Sequence, residues 1–194
     1  ASAGSTLLVL QTVLPPLMLA DRRSELVLEG GTHNPFAPPF PFIAEAFLPV
    51  LQRIGFPVHA TLERAGFYPN GGGRCRFVIE PAHDLSPLTL EAGRETRAES
   101  AALSAHICLA GLPRTVADRE LEIVRSRLEI PPDRCAVDEC IGALGPGNTV
   151  HLRIERDGVS EVFTGFGAPR VRSEDVARGV VGELQAFLAS GAPV

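Results

Sequence analysis

The stretch best suited to hold a ligand is a run of glycines and prolines at residues 30–39, which reads GGTHNPFAPP. Glycines at the end of a predicted strand let a ligand approach the backbone closely, and prolines offer a rigid apolar surface for a flat ring. Thr32 and Asn34 add side chains that form hydrogen bonds. A rigid structural turn is the alternative that this pattern leaves open.

A second glycine-rich stretch, GFYPNGGG at residues 66–73, has the composition of an anion-binding loop. Three successive glycines can turn their N–H groups toward one point. The stretch lacks the lysine and the following helix of a phosphate-binding loop, so a hairpin connection with a bulge is the alternative. It also holds Tyr68, the one tyrosine of the chain, in a predicted loop.

The first predicted helix supplies a third candidate. Ser5 can cap its N-terminus, whose free backbone N–H groups and positive dipole end suit a phosphate group. Gln11 is a polar residue within an otherwise apolar run, and either a ligand contact or an ordinary helix position explains it. We expect Pro15 and Pro16 to kink or end this helix.

The spacing of histidines and cysteines indicates no catalytic triad and no metal site. The histidines fall in predicted loops and strands without ligand spacing, and the cysteines contain no CxxC pair. We therefore predict reduced, mostly buried thiols, as in a cytoplasmic protein. The residues concerned are His33, His59, His83, His106 and His151, with Cys75, Cys108, Cys135 and Cys140.

Charge and composition exclude several classes of function. All 18 basic residues are arginine, which excludes a Walker-type phosphate loop, a lysine nucleophile and a Schiff base. The net charge of -5 gives no overall basic field for nucleic acid. Acidic residues, Glu120 among them, alternate with the arginines around residues 118–129 and indicate a solvated helix face. The apolar segment at 7–20 is too short to span a bilayer, so we expect no membrane association.

The periodicity of the first half predicts one α+β unit. Helix, strand, helix, strand and strand follow one another, with strands at 24–29, 58–64 and 74–80 and a second helix over 42–54. The chain starts inside an apolar pattern without a methionine, and a strand before the first residue would complete a βαβαββ unit. We therefore expect a piece of a longer protein.

The second half predicts a two-layer α+β arrangement after a connector at 81–95 that contains proline, serine and glycine. The predicted elements are a strand at 100–109, a helix from Thr115, a strand at 134–141, a hairpin of 149–156 with 159–166, and a helix capped by Ser173 that runs to 188.

Four motifs occur in order along the chain: SAGS with LVLQTVLP at 2–15, GGTxNPxAPP at 30–39, GFYPxGGG at 66–73 and GPGNT at 145–149. Any one of them is weak alone, whereas the ordered set resembles the RNA 3'-terminal phosphate cyclase family over essentially the whole chain. The resemblance implies a large domain of repeated βαβαββ units and a smaller thioredoxin-like α/β insert domain.

On this resemblance, residues 1–92 form part of the large domain, residues 93–184 form the insert domain, and residues 185–194 return to the large domain. Family members use ATP and a divalent metal, here expected to be Mg²⁺, to convert an RNA 3'-phosphate into a 2',3'-cyclic phosphate. A histidine is adenylated, AMP passes to the RNA 3'-phosphate, and the neighbouring 2'-OH displaces AMP. The resemblance thus implies a ligase of RNA processing in the cytoplasm.

The resemblance also assigns roles to particular residues. Gln11 matches the helix glutamine that contacts ATP, and Pro38 with Pro39 match the segment that packs against adenine. His33 stands where the family is expected to have Asp or Asn, and we do not assign it as the nucleophile. The nucleophilic histidine of the family would follow the last helix, outside this chain. The acidic metal ligand would lie before the first residue of this chain. We therefore predict no catalytic residue and no metal ligand here, and no self-adenylation.

Two other functions remain open at this point. One branch of the same superfamily contains non-catalytic ribosome-assembly factors that lack the adenylated histidine, although the GFYP and APP motifs favour the cyclases. Alternatively, residues 98–188 form an independent thioredoxin-like interaction module, without the CxxC motif that redox chemistry needs.

Overall fold

Two groups of helices and strands make up the part of the chain that the computed structural model describes, residues 3–82, 84–89 and 102–192. The first unit holds the described residues up to 89 together with Ile141–Gly145, and the second holds residues 102–140 together with 146–192. Each unit mixes helices with a sheet, so the predicted α+β class is confirmed. His83 and the predicted domain limit at 92 and 93 lie outside the described residues.

The first unit has a three-stranded antiparallel sheet in the order β1-β3-β2. Its elements are α1 (Thr6–Met18), β1 (Ser24–Gly30), α2 (Phe40–Phe42), α3 (Leu48–Ile54), β2 (Val58–Arg64) and β3 (Gly73–Ile79). A π-helical turn, Ile43–Phe47, joins α2 to α3 without a break, and both Ile43 and Leu48 are buried. Gly55, in the left-handed conformation, ends α3 directly after the predicted limit of the helix at residue 54.

Alternation along the central strand β3 builds the core of this unit. Every second residue is buried, and these residues belong to one apolar cluster with the buried face of α1. The cluster includes Leu7, Leu10, Leu14, Cys75, Phe77 and Ile79. Arg74 and Arg76, which alternate with the buried residues along β3, form ion pairs with glutamates of β1 and β2.

α1 continues through Pro15 and Pro16 as far as Met18, so of the two predicted effects, a kink or an end, these prolines do not end the helix. Proline has no N–H group, and the carbonyls of Gln11 and Thr12 therefore lack their usual donors four residues on. Both prolines are exposed, whereas the leucines on the opposite side of α1 are buried in the core. Packing of that apolar face thus compensates for the missing hydrogen bonds.

The second unit has a four-stranded sheet in the order β5-β4-β6-β7. Its elements are β4 (Ala102–Ala110), α4 (Thr115–Leu128), β5 (Cys135–Glu139), β6 (Gly147–Arg156), β7 (Val159–Phe166) and α5 (Ser173–Ser190). β4 is parallel to β5 and antiparallel to β6, which forms the predicted hairpin with β7. Asp157 and Gly158 both have positive φ, as a two-residue hairpin turn requires.

Both helices of the second unit contribute to one apolar cluster with one face of its sheet. Ile107 and Leu109 of β4 lie in this cluster, so the side chains of His106 and Cys108 belong to the other face. Ser173 is the first residue of α5 and Arg172 occupies the N-cap position, so the prediction that Ser173 caps this helix is wrong. The Ser173 hydroxyl instead donates to the Glu174 carboxylate at 3.4 Å. Within the described ranges, no helix has the length and apolar character needed to cross a membrane.

Candidate functional site

Hydrogen bonds fasten the start of α1 to the glycine turn that follows β1. The backbone N–H and the hydroxyl of Thr6 both donate to the Gly31 carbonyl, at 3.0 and 2.9 Å, and the Gly31 N–H donates to Gly4 at 2.8 Å. Ser5 caps the helix as predicted, because its hydroxyl accepts from the N–H of Leu8 at 3.3 Å. The N–H groups of Thr6 and Leu8 at the start of α1 therefore already have acceptors within the protein and are not free for a phosphate group.

The same turn is fastened to the loop between β2 and β3. The N–H groups of Thr32 and His33 both donate to the Gly66 carbonyl, at 2.9 and 3.0 Å. In return, the Gly66 N–H donates to the Thr32 hydroxyl at 2.9 Å. The Thr32 carbonyl accepts from Phe40 at 2.9 Å, which fixes the start of α2. Thr32 thus joins three chain segments.

His33 and Asn34 are buried parts of this junction. The imidazole of His33 stacks on Phe67 with ring centroids 5.2 Å apart, and its Nδ1 lies 2.8 Å from the Thr32 hydroxyl. The Asn34 amide donates to the Ala3 carbonyl at 2.5 Å. Only 2% of His33 is exposed, which agrees with its exclusion as a nucleophile. The structure therefore favours a structural role for the polar side chains of this turn.

Close contacts, with backbone at Gly66 and with the Asn34 side chain at Gly31, explain two glycines of the motifs. A Cβ atom on Gly66 would lie 2.3 Å from the Gly73 nitrogen and 2.4 Å from the Gly30 oxygen. A Cβ atom on Gly31 would lie 2.0 Å from the Asn34 amide nitrogen. Neither position accommodates a side chain without movement of its neighbours, so the junction depends on glycine.

The triple glycine does not present an open anion site. Leu144 lies against it, since a Cβ atom on Gly72 would be 2.3 Å from the Leu144 side chain. The Gly72 carbonyl accepts a hydrogen bond from Arg64 at 2.5 Å. The strand register also shifts between Leu62 and Arg64, as a β-bulge requires. These features agree with the alternative of a hairpin connection with a bulge.

The residues that the family resemblance assigned to ATP occupy two places in the first unit. Gln11 is exposed on α1, five residues after the junction at Thr6, or about 7.5 Å along the helix axis. Pro38 is half-buried, and Pro39 is buried directly before α2. Among the described residues, the Gln11 amide has no hydrogen-bond partner.

The fourth motif has a structural explanation that sequence analysis missed. Asn148 of this motif donates to a carboxylate oxygen of Glu120 at 2.5 Å, and its own carbonyl accepts from Gly167 at 2.8 Å. Glu120 is fully buried, so its prediction as part of a solvated helix face is wrong. Burial raises the pKa of Glu120 to about 7. The one available signal was an asparagine in a glycine-rich turn that leads into a strand.

Comparison with known proteins supports the family resemblance drawn from the four ordered motifs. A family model described as RNA 3'-terminal phosphate cyclase matches residues 1–187. Proteins named RNA 3'-terminal phosphate cyclase from Koribacter versatilis and Pseudomonas fluorescens are 41% and 42% identical over 98% and 100% of the chain. A protein of the same name from Salmonella agona is 41% identical.

The chain therefore belongs to the RNA 3'-terminal phosphate cyclase family. It spans about half the length of the curated relatives that it matches, 53% of the Koribacter protein and 55% of the Pseudomonas protein.

Proposed function

We propose that this chain works as part of an ATP-dependent RNA 3'-terminal phosphate cyclase in the cytoplasm. The reaction converts an RNA 3'-phosphate into a 2',3'-cyclic phosphate. Support comes from the ordered motifs and from the hydrogen bonds that fasten the start of α1 to the glycine turn before Pro38. The free state of all four cysteines supports the cytoplasmic location.

In this proposal the first unit binds the adenine end of ATP. The Gln11 amide would hydrogen-bond to the edge of the ring, and Pro38 would pack against its face. The Thr32 junction would hold the proline loop rigid before the nucleotide arrives, which reduces the entropy lost on binding. When bound, ATP supplies the AMP group that activates a terminal phosphate. We assign no residue of this chain to the divalent metal and derive no step through it.

The proposed route passes through an adenylated histidine and an adenylated RNA end. We propose that none of the histidines of this chain is that nucleophile, and that the chain alone is not adenylated. The burial of His33 beneath Phe67 supports this for the histidine nearest the proposed nucleotide site in sequence.

Labelling with radioactive ATP tests the chain itself. We expect reversible ATP binding in the presence of Mg²⁺ and no acid-labile AMP on the protein. Stoichiometric labelling of the wild-type chain would refute our assignment of the nucleophile to a position outside it.

The reaction is tested with the full-length protein and an RNA that ends in a 3'-phosphate. With ATP and Mg²⁺, the end should become resistant to phosphatase, because a cyclic phosphodiester is not a phosphomonoester. A matched RNA with a 2'-deoxy terminal nucleotide lacks the attacking hydroxyl and should give no cyclic product. Unchanged phosphatase sensitivity of the normal RNA, with the protein folded, would favour the assembly-factor alternative.

A further inference from the structure

Two neighbouring strands of the second unit bring metal-ligating side chains together. His106 and Cys108 are two residues apart on β4 and therefore share one face of the sheet. Parallel pairing with β5 places Asp138 directly beside Cys108. One ligand atom from each of these three residues lies within 4.8 Å of the other two.

A fourth ligating group lies at the end of β5. The N–H of Cys140 donates to the Leu109 carbonyl at 2.8 Å, which holds Cys140 beside β4. The thiols of Cys140 and Cys108 are close enough to interact electrostatically. Cys140 is also two residues beyond Asp138, and its thiol contacts the Asp138 carbonyl at 3.9 Å. The cluster thus contains two sulfur atoms, one imidazole and one carboxylate.

We propose that His106, Cys108, Asp138 and Cys140 form a binding site for a single zinc ion. Two thiolates and an imidazole are soft and borderline ligands that favour Zn²⁺ over Mg²⁺ or Ca²⁺. Four ligands match the tetrahedral coordination of structural zinc sites. This inference does not depend on the proposed cyclase activity.

The distances allow the ion to bind with small side-chain movements. Zinc bonds of about 2.0–2.3 Å place the ligand atoms of a tetrahedral site about 3.3–3.8 Å apart. The ligand atoms of His106, Cys108 and Asp138 lie within 4.8 Å of one another, so these three need a contraction of at most about 1.5 Å. The Cys140 thiol must also turn away from the Asp138 carbonyl and toward the ion. Asp138 is exposed and provides an entry path for the ion, whereas Cys108 is only 2% exposed.

The Asp138 carboxylate lies on the exposed edge strand β5, directly beside Cys108. None of the ion pairs found among the described residues uses Asp138, so its carboxylate is available.

Cobalt and zinc titrations of the purified, reduced chain test the site. Co²⁺ should give thiolate-to-metal charge-transfer absorption and the intense visible bands of tetrahedral coordination, and one equivalent of Zn²⁺ should abolish both. We expect a zinc dissociation constant at or below about 1 µM, measured against a chromophoric chelator. Absence of these cobalt bands from folded protein would overturn the proposal.

Variants distinguish this site from adventitious binding. Cys108→Ser and Cys140→Ser should each weaken zinc binding by at least about 100-fold, because each removes a ligand. Cys135→Ser is the matched control: Cys135 lies on β5 but packs against the apolar cluster on the other face of the sheet, so zinc binding should not change. Asp138→Asn tests the exposed position, where folding is least at risk, and should weaken binding by about 10-fold or more. Equal zinc affinity in Cys108→Ser, Asp138→Asn and wild type would refute the site.

Discussion

Thr32 and Gly66 are joined by two reciprocal hydrogen bonds, each 2.9 Å long. The Thr32 N–H donates to the Gly66 carbonyl, and the Gly66 N–H donates to the Thr32 hydroxyl. The two residues are 34 positions apart and belong to different motifs of the family. The GGTxNPxAPP and GFYPxGGG motifs therefore form one structural junction, and part of their pattern reflects the way this junction is built.

Removing the Thr32 hydroxyl should destabilise the first unit. Thr32→Val keeps the shape of the side chain but leaves the buried Gly66 N–H without an acceptor, which costs about 1–3 kcal/mol. Urea unfolding followed by far-ultraviolet circular dichroism measures the change, since the chain has no tryptophan. Thr61→Val, at an exposed position on β2, is the control and should alter stability by less than about 0.5 kcal/mol. Similar effects of the two substitutions would show that the Thr32 hydroxyl is dispensable.

Glycine positions should differ sharply in their tolerance of alanine. Gly66→Ala places a Cβ atom within 2.4 Å of two backbone atoms, so strands at the junction must move. We expect a loss of more than about 2 kcal/mol in unfolding free energy. Gly179→Ala, on an exposed turn of α5 with nothing within 4 Å, should instead stabilise the chain by about 0.5–1 kcal/mol. Denaturant midpoints of the two variants provide the comparison, and a stable Gly66→Ala protein would contradict the junction as described.

The raised pKa of Glu120 makes stability depend on pH. Its pKa is about 7 in the folded chain and about 4.3 when unfolded, so the folded state holds the proton more tightly. This contribution is complete below about pH 4.3 and is lost as the pH rises through 7. Unfolding free energy should therefore fall by about 2 kcal/mol from this group between pH 5 and pH 8.

Glu120→Gln isolates the contribution of this carboxyl group. The variant keeps an oxygen that can accept from Asn148 but has no titration, so its stability should exceed that of wild type at pH 8 and approach it at pH 5. Glu122→Gln changes an exposed carboxylate on the same helix and should preserve the wild-type pH dependence. If Glu120→Gln retains that dependence as well, another group is responsible.

Gln11 should contribute one hydrogen bond to ATP binding. Loss of a hydrogen bond of about 1 kcal/mol corresponds to an affinity about 5-fold lower for Gln11→Ala. Calorimetric titration of the chain with ATP and Mg²⁺ measures this change. Gln185→Ala removes an equally exposed amide on α5 and should leave the affinity unchanged. Unaltered ATP binding by Gln11→Ala would remove this residue from the proposed site.

Local signals were sufficient for most strands. Alternation of apolar and polar residues predicted Val58–Arg64 and Val159–Phe166 at the positions observed, because each strand has one face on an apolar cluster. The Asp157-Gly158 turn was equally clear. Intrinsic preference failed where packing competes with it: α1 continues through two prolines because its leucine face is buried in the core.

Side-chain partners distant in sequence were not predictable from spacing. Glu120 lies among charged residues on its helix, and only the fold brings it to Asn148, 28 positions away. The four residues that we propose for zinc likewise come from two neighbouring segments of the sheet. His106 and Asp138 are 32 positions apart in sequence, and the parallel pairing of β4 with β5 brings them together. For Gln11 and Pro38, the family motif provided an assignment that residue periodicity alone left open.

The π-helical turn at Ile43–Phe47 has a consequence for insertions and deletions. Ile43 and Leu48 are five residues apart, which in a regular α-helix would point them about 140° from each other. The wider turn brings both into the core. Removing one residue here would restore regular winding but rotate everything from Leu48 to Ile54 by about 100° about the helix axis. A deletion within this turn should thus be far more damaging than a conservative replacement at the same position.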